Sequence, residues 1–219
     1  MIVTIDGPAG TGKSSVARAL AQMLGFQFLD TGAMYRMVAW RTVVTGTDPG
    51  DHRQVEELTS ASRMELIQGT ILLDGVDVSG ELRTAEVTCM ASIVAQIPQV
   101  RELLVRRQRD IANSHDIVCE GRDQGTVAFP HAECKFFLTA QADERARRRL
   151  AELLAQGQET SFELLLKDQQ QRDQRDAQRK VAPLRPADDA EMIDTTELSL
   201  QEVVELLHRK ILEKQSRPG

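Results

Sequence analysis

The stretch Gly7-Pro8-Ala9-Gly10-Thr11-Gly12-Lys13-Ser14-Ser15 constrains this chain more than any other. It directly follows the apolar run Ile2-Val3-Thr4-Ile5 and precedes a segment with apolar residues at Val16, Leu20, Met23 and Leu24. That order reads as strand, glycine-rich turn and helix. In that context the spacing G-x-x-x-x-G-K-S is a phosphate-binding loop. Gly7, Gly10 and Gly12 open backbone dihedrals closed to other residues, so that successive N–H groups converge on one anion. A helix starting near Lys13 adds the positive end of its dipole. Lys13 supplies a mobile cation for the β- and γ-phosphates, and the Ser14 hydroxyl suits Mg²⁺, which keeps most of its waters in such sites. The pattern predicts a chain that binds a nucleoside triphosphate.

The 219 residues suffice for one core with insertions. No run approaches the roughly 18 apolar residues of a membrane span. The chain enters its first strand at Ile2, which leaves no room for a signal peptide, so the expected location is the cytoplasm, with no membrane partner. A net charge of −6 argues against binding a nucleic acid polymer. Cys89, Cys119 and Cys134 lack C-x-x-C spacing and read as free buried thiols rather than a zinc site. Of the 27 basic residues 21 are arginine, and many cluster: Arg101, Arg106, Arg107 and Arg109; Arg145, Arg147, Arg148 and Arg149; Arg172, Arg175, Arg179 and Arg185. Planar, bidentate guanidinium groups suit phosphate.

In order along the chain, the first helix is expected to stop at Gly25. A second strand over 26–29 ends at Asp30, and Thr31 is expected to cap the helix that follows. A short helix over 51–61 precedes three apolar runs, 64–67, 70–73 and 76–78, separated by Gly69 and by Asp74-Gly75. Asp-Gly between apolar runs predicts a tight hairpin, and so a small antiparallel insertion. Helices over 81–96 and 99–113, punctuated by Pro98, lead back to core strands at 117–120 and 135–138. An arginine-rich helix over 143–156 stops at Gly157, and a second helix is opened by the capping box Thr160-x-x-Glu163. That second helix is expected to carry Arg172, Asp176 and Arg179 on one face and to end at Pro183 and Pro186. A fifth strand at 192–194 and a last helix opened by Ser199-x-x-Glu202 complete an α/β fold. Its centre is a parallel sheet of about five strands flanked by helices.

A phosphate-binding loop leaves ATPase, GTPase, kinase and transporter motor open. The chain has no N-K-x-D for guanine, while Glu120 at the end of an apolar strand keeps a motor ATPase in play. Small size and arginines from three separate segments, available to a second anion, favour a small kinase. Four consecutive-turn positions such as Arg145, Arg147, Arg148 and Arg149 cannot all face inward, so one or two are expected to act.

Several separated motifs then occur in one order. They are Asp30-Thr31-Gly32-Ala33-Met34-Tyr35-Arg36, the run from Asp77 to Thr84, Gly121-Arg122-Asp123-Gln124-Gly125-Thr126 onward to Pro130, and Arg172-Asp173-x-Arg175-Asp176-x-x-Arg179-x-Val181-Ala182-Pro183-Leu184. Together they resemble the bacterial cytidylate kinases, P-loop nucleoside monophosphate kinases, over nearly the whole chain. The resemblance implies phosphoryl transfer from Mg-ATP to CMP and dCMP; with nothing like a coiled coil or an exposed apolar stripe in the sequence, the default expectation is a monomer. It implies a core of 1–30, 114–142 and 181–219, an acceptor-binding region with the β insertion at 31–113, and a helical lid at 143–180. It further implies that Lys13, Arg122 and Arg179 are catalytic and that Thr31, Arg36 and Arg122 hold the acceptor phosphate. Ser92, Arg101 and Asp123 would read cytosine, Arg172 and Asp176 would hold the ribose region, and the 181–189 segment would contact adenine. Thr31 stands where that family often has serine, and Glu120 where aspartate is common. A kinase of another small acceptor, such as shikimate, and an ATP-driven regulator are the alternatives.

Overall fold

A computed structural model describes residues 1–67, 70–155 and 157–216 of the protein. The first elements are β1 (Ile2–Asp6), α1 (Lys13–Leu24), β2 (Gln27–Asp30), α2 (Thr31–Val44) and α3 (His52–Ala61). Strands β3 (Met64–Ile67), β4 (Thr70–Leu73) and β5 (Val76–Asp77) follow, then α4 (Ala85–Val94) and α5 (Pro98–Ala112). The chain continues with β6 (Ile117–Gly121), a π-helical turn (Gln124–Ala128), β7 (Cys134–Thr139), α6 (Ala142–Ala155), α7 (Phe162–Ala177), β8 (Glu191–Asp194) and α8 (Leu200–Gln215). These fall into two compact units, one of Met1–Phe28 with His115–Gly219 and one of Leu29–Ser114.

The first unit is built on a five-stranded sheet of order β2-β6-β1-β7-β8. β1 pairs in parallel with β6 on one side and β7 on the other, and β8 adds in parallel to β7. The central strands are buried on both faces, so they read as apolar runs rather than alternating ones. Val3, Ile5, Val118, Phe136 and Leu138 of the strands pack with Val16 and Leu20 of α1 and Val203, Leu207 and Ile211 of α8. Because β1 lies in the middle, its carboxyl end delivers the glycine-rich turn to the centre of the sheet edge, where open α/β folds bind ligands.

In the second unit, α2 packs on α4 and α3 on α5, burying Met34, Met37, Val55, Val87, Val94 and Leu104. Its three-stranded antiparallel sheet runs β3-β4-β5. Asp74 and Gly75 take φ values of 53° and 81°, the left-handed pair that a tight β4–β5 hairpin requires. The expected separator Gly69, and Gln156 at the expected end of the lid helix, lie outside the described residues.

Several sequence expectations need correction. Asp30, not Thr31, caps α2: the Asp30 side chain accepts from Ala33 N–H, and Thr31 is the first helical residue. The 81–96 helix is interrupted, because Thr84 takes an extended conformation after a 3₁₀ turn at Glu81–Arg83 and caps a fresh helix through Val87 N–H. Helix α7 is capped by Ser161 rather than Thr160. It ends at Ala177, well before Pro183, so Arg179 lies beyond its cap at Gln178 and not on its face. Cys89 is exposed, unlike Cys119 and Cys134, because it lies on the outer side of α4.

Candidate active site

The phosphate-binding loop owes its shape to glycines at two tight places. Gly7 has φ 145°, and a Cβ there would sit 2.1 Å from the Leu138 carbonyl oxygen. Gly12 is left-handed at φ 85° and precedes α1. Unlike α2, α3, α4, α7 and α8, helix α1 has no side-chain cap at its N-terminus. Its first N–H groups are therefore not consumed by the protein's own side chains, as a binding site for anionic oxygen requires.

Lys13 is 5% exposed, and its ammonium donates to the Pro8 carbonyl at 2.6 Å. Burial, then the neighbouring Arg122 guanidinium, lowers its pKa to about 7, with Glu120 and Asp6 opposing and Arg172 reinforcing. A buried amine beside two guanidiniums is a group whose charge an incoming polyanion restores. The Ser14 hydroxyl donates to Glu120 Oε1 at 2.8 Å. This places two hard oxygen ligands together where the loop becomes a helix, one from α1 and one from the carboxyl end of β6. Ser15 is exposed, whereas Thr11 is buried and held by the Thr195 hydroxyl through its carbonyl.

A second group surrounds Asp176, which is 1% exposed. Arg122 Nε donates to one carboxylate oxygen at 2.9 Å, and Arg179 pairs with the other. Burial pushes the Asp176 pKa up, but Arg122, Arg179 and Arg172 outweigh it and hold the carboxyl below its ordinary value. Burial likewise opposes the Arg122 charge, which Asp176 and Glu120 more than restore. Arg122, Arg179 and Arg172 thus gather at one carboxylate, and Arg122 and Arg172 lie within electrostatic reach of Lys13. Of the four arginines on α6, Arg145 turns inward: it is buried, bonds the Ala9 carbonyl at 2.8 Å and pairs with Asp173 at 2.6 Å. Arg148 instead ties down the carbonyls of Thr195 and Thr196. Arg147 and Arg149 pair along their own helix with Glu144 and Glu152.

The 181–189 segment, through Arg185, Asp188 and Asp189, lines a polar cavity with Thr126, Pro130 and Lys135. In the second unit, Thr31 is buried at the start of α2, and Arg36 lies over Gly32 beside the Asp30 carboxylate. Ser92 is buried on α4. Arg101 is buried on α5, donates to the Ala95 carbonyl at 3.3 Å and stands over the Tyr35 ring at 5.6 Å.

Sequence reasoning missed Asp6. This residue closes β1, is 4% exposed, and accepts from the backbone N–H groups of Gln124 and Gly125 at 2.9 and 2.8 Å. Burial raises its pKa to about 7 despite those two bonds. Part of the signal was present: an acid ending the run Ile2-Val3-Thr4-Ile5, next to the loop, has to be partnered once buried, though nothing in the sequence names the partner. Asp173, the partner of Arg145, was visible only as part of a motif.

Among the described residues no helix is long and apolar enough to cross a membrane. No cluster of three or more His, Cys, Asp or Glu could hold a metal ion among them.

Comparison with known proteins agrees with this geometry. Among solved structures, shikimate kinase from Bacteroides thetaiotaomicron aligns with a TM-score of 0.50 at 15% identity, over 97% of this chain and 98% of that one, a likeness of fold alone. Cytidylate kinase from Rhodopirellula baltica is 47% identical over 97% of this chain and 93% of its own length. Cytidylate kinase from Caldanaerobacter subterraneus subsp. tengcongensis is 45% identical over 95% and 93%. The cytidylate kinase family model matches residues 3–213, from the first buried strand through the loop, the arginine groups and most of α8, so the chain belongs to that family.

Proposed function

We propose that this protein transfers the terminal phosphoryl group of ATP to CMP and dCMP. The observation that carries the reading is the pairing of an uncapped phosphate-binding helix with a group of arginines, Arg122, Arg172 and Arg179, gathered at the buried Asp176 carboxylate. Two polyanions that repel each other need cations held in place in this way.

The acceptor is itself a phosphate with a second pKa of about 6, so it is largely dianionic at neutral pH and needs no general base. The protein's work is to bind, orient and neutralise. Loop N–H groups and Lys13 take the β- and γ-phosphates. Arg122 and Arg179 compensate charge on the transferring group. Thr31, Arg36 and Arg122 are assigned to the acceptor phosphate, Ser92, Arg101 and Asp123 to cytosine, and Arg172 and Asp176 to the ribose region. Cytosine offers an amino donor and a ring-nitrogen acceptor where uracil offers the reverse, and a carboxylate with a guanidinium matches the first pattern. Arg145 is the lid arginine assigned to the donor phosphates, and the 181–189 segment is assigned to adenine. We further assign 31–113 to acceptor binding and 143–180 to the lid.

The donor oxygens of Ser14 and Glu120, 2.8 Å apart, fit Mg²⁺, which takes few protein ligands and keeps its waters. These two residues would hold it, mostly through water, and the ion would neutralise phosphate charge. The expected setting is a cytoplasmic monomer.

A coupled assay with CMP, dCMP, UMP and AMP tests the reading. CMP and dCMP should be turned over far faster than UMP or AMP. Equal turnover of AMP would remove the cytosine assignment, and ATP hydrolysis unaffected by any nucleotide acceptor would point to an ATP-driven regulator.

A further inference from the structure

Asp6 is not part of the phosphate-binding loop and is assigned no contact with either nucleotide. It is nevertheless buried and bonded only to backbone. Its two carboxylate oxygens are divided: Oδ1 accepts from Gln124 N–H at 2.9 Å and Oδ2 from Gly125 N–H at 2.8 Å. The Asp6 backbone also stands opposite Gly121 in the parallel ladder between β1 and β6. The same residue therefore fixes the chain on both sides of Arg122-Asp123, by register before the pair and by two hydrogen bonds after it. The next residue along from Asp6 is Gly7, which is locked against the Leu138 carbonyl.

The turn that Asp6 holds is unusual. Val127 and Ala128 N–H both return to the Asp123 carbonyl, and Phe129 N–H returns to that of Gln124, which makes a single π-helical turn. Such a turn is intrinsically unfavourable and needs an external anchor. Gly125 permits the anchor's close approach: a Cβ there would lie 3.1 Å from Thr4 Oγ1, 3.3 Å from Lys135 Cδ and 3.5 Å from Asp6 Oδ2.

We propose that Asp6 is a positioning residue for acceptor recognition, registering Asp123 against the phosphate-binding loop through its paired bonds to Gln124 and Gly125. The proposal rests on the assignment of Asp123 to cytosine. A merely structural acid would, when altered, lower stability and affect all substrates alike. A registering acid affects discrimination.

The test compares Asp6→Asn, Asp123→Ala and the double variant. The asparagine keeps the shape but turns an amino group toward one of the two N–H donors, leaving that donor buried and unsatisfied. Wild type and variants are assayed for kcat and KM with CMP and UMP, with ATP affinity measured separately by calorimetry. Asp6→Asn should lower kcat/KM for CMP about tenfold or more, as expected for one buried donor left unsatisfied. It should lower kcat/KM for UMP much less and leave ATP affinity within about threefold. In the Asp123→Ala background it should narrow discrimination no further, since residues acting as one unit are not additive. Equal loss for CMP and UMP, or a loss confined to ATP affinity, would overturn the proposal. Should Asp123→Ala itself leave discrimination intact, the cytosine assignment fails, whatever Asp6→Asn does. If Asp6→Asn does not fold, Gly125→Ala presses on the same anchor from the other side and should narrow discrimination in the same way; unchanged discrimination in a folded Gly125→Ala protein would overturn the proposal.

Discussion

The depressed pKa of Lys13 makes a measurable demand on nucleotide binding. In the free chain burial and Arg122 bring this amine down to about 7 from 10.5. At pH 8 it is therefore about nine-tenths neutral, and a triphosphate seated in the loop should return it to full charge. The binding of ATP should take up about 0.9 proton at pH 8 and only about 0.1 at pH 6. Recovering the ordinary pKa, about 3.5 units, corresponds to about 5 kcal/mol of interaction between the ammonium and the phosphates. The sign follows from the uptake: affinity falls as pH rises, by about eightfold between pH 7.5 and 8.5. Titrating ATP without magnesium at pH 8, in buffers of different ionisation enthalpy, gives the proton count as the slope of the observed enthalpy. The terminal phosphate, with its last pKa about 6, is already ionised there and adds nothing. Asp6 titrates nearby, at about 7, so Asp6→Asn is the control and should leave the slope in place. The reasoning is refuted if the slope is zero at pH 8, or if it survives unchanged in Lys13→Met.

Removing the shared carboxylate by Asp176→Ala leaves Arg122 and Arg179 facing each other in a buried site; urea unfolding should show a loss of about 3 kcal/mol, partly recovered on adding ATP, and an unchanged midpoint would deny that Asp176 neutralises the group. Gly7→Ala should abolish ATP binding or folding, because its Cβ would meet backbone at 2.1 Å rather than a movable side chain; a folded variant with wild-type affinity would show that the loop has another route past Leu138. Arg145→Ala, which strips a buried ion pair with Asp173 and bonds to the Ala9 and Ala140 carbonyls, should lower both kcat and melting temperature, whereas Arg148→Ala, which removes bonds to Thr195 and Thr196, should lower stability by about 1 kcal/mol and kcat less; a larger loss of kcat in Arg148→Ala than in Arg145→Ala would exchange their roles. A thiol reagent should modify Cys89 rapidly in the native protein and reach Cys119 and Cys134 only on unfolding. Burial raises the pKa of both protected thiols, so raising the pH to 8.5 should not open them.

Much of this was legible in the sequence because local chemistry and tertiary demand agreed. The loop glycines, the Asp74-Gly75 hairpin and the Ser199–Glu202 capping box each need particular residues at fixed offsets, and the structure uses them so. Where two adjacent residues can do the same job the sequence is silent. Asp30-Thr31 and Thr160-Ser161 both present neighbouring caps, and only the backbone conformation decides which oxygen faces the helix. Arg179 failed differently. Its spacing of three from Asp176 fits one helix face, and the ion pair does form, but the helix stops at Ala177 and the chain turns back, with Leu184 N–H reaching the Asp176 carbonyl. Contact was predictable from spacing, conformation was not. Asp6 stayed hidden because its bonds go to backbone N–H groups over a hundred residues away, which carry no side-chain signature.

The contrast between the two kinds of cation in the first unit explains why Asp176 is present at all. A guanidinium cannot shed its proton, so Arg122 and Arg179, once buried, must be matched by an anion before any nucleotide arrives. Asp176 supplies it, and its own pKa falls as a result. An ammonium has the other option, and Lys13, near Arg122 and Arg172, moves toward neutrality instead. The free protein thus carries less charge than its residue count suggests, and the missing charge is on the residue nearest the donor phosphates. It follows that neutralising one arginine should relieve Lys13: in Arg122→Met the amine should titrate above 7, and proton uptake on binding ATP at pH 8 should fall below the wild-type value. An uptake equal to wild type would mean that burial alone sets the Lys13 pKa, and that the arginines and the lysine answer to the phosphates independently.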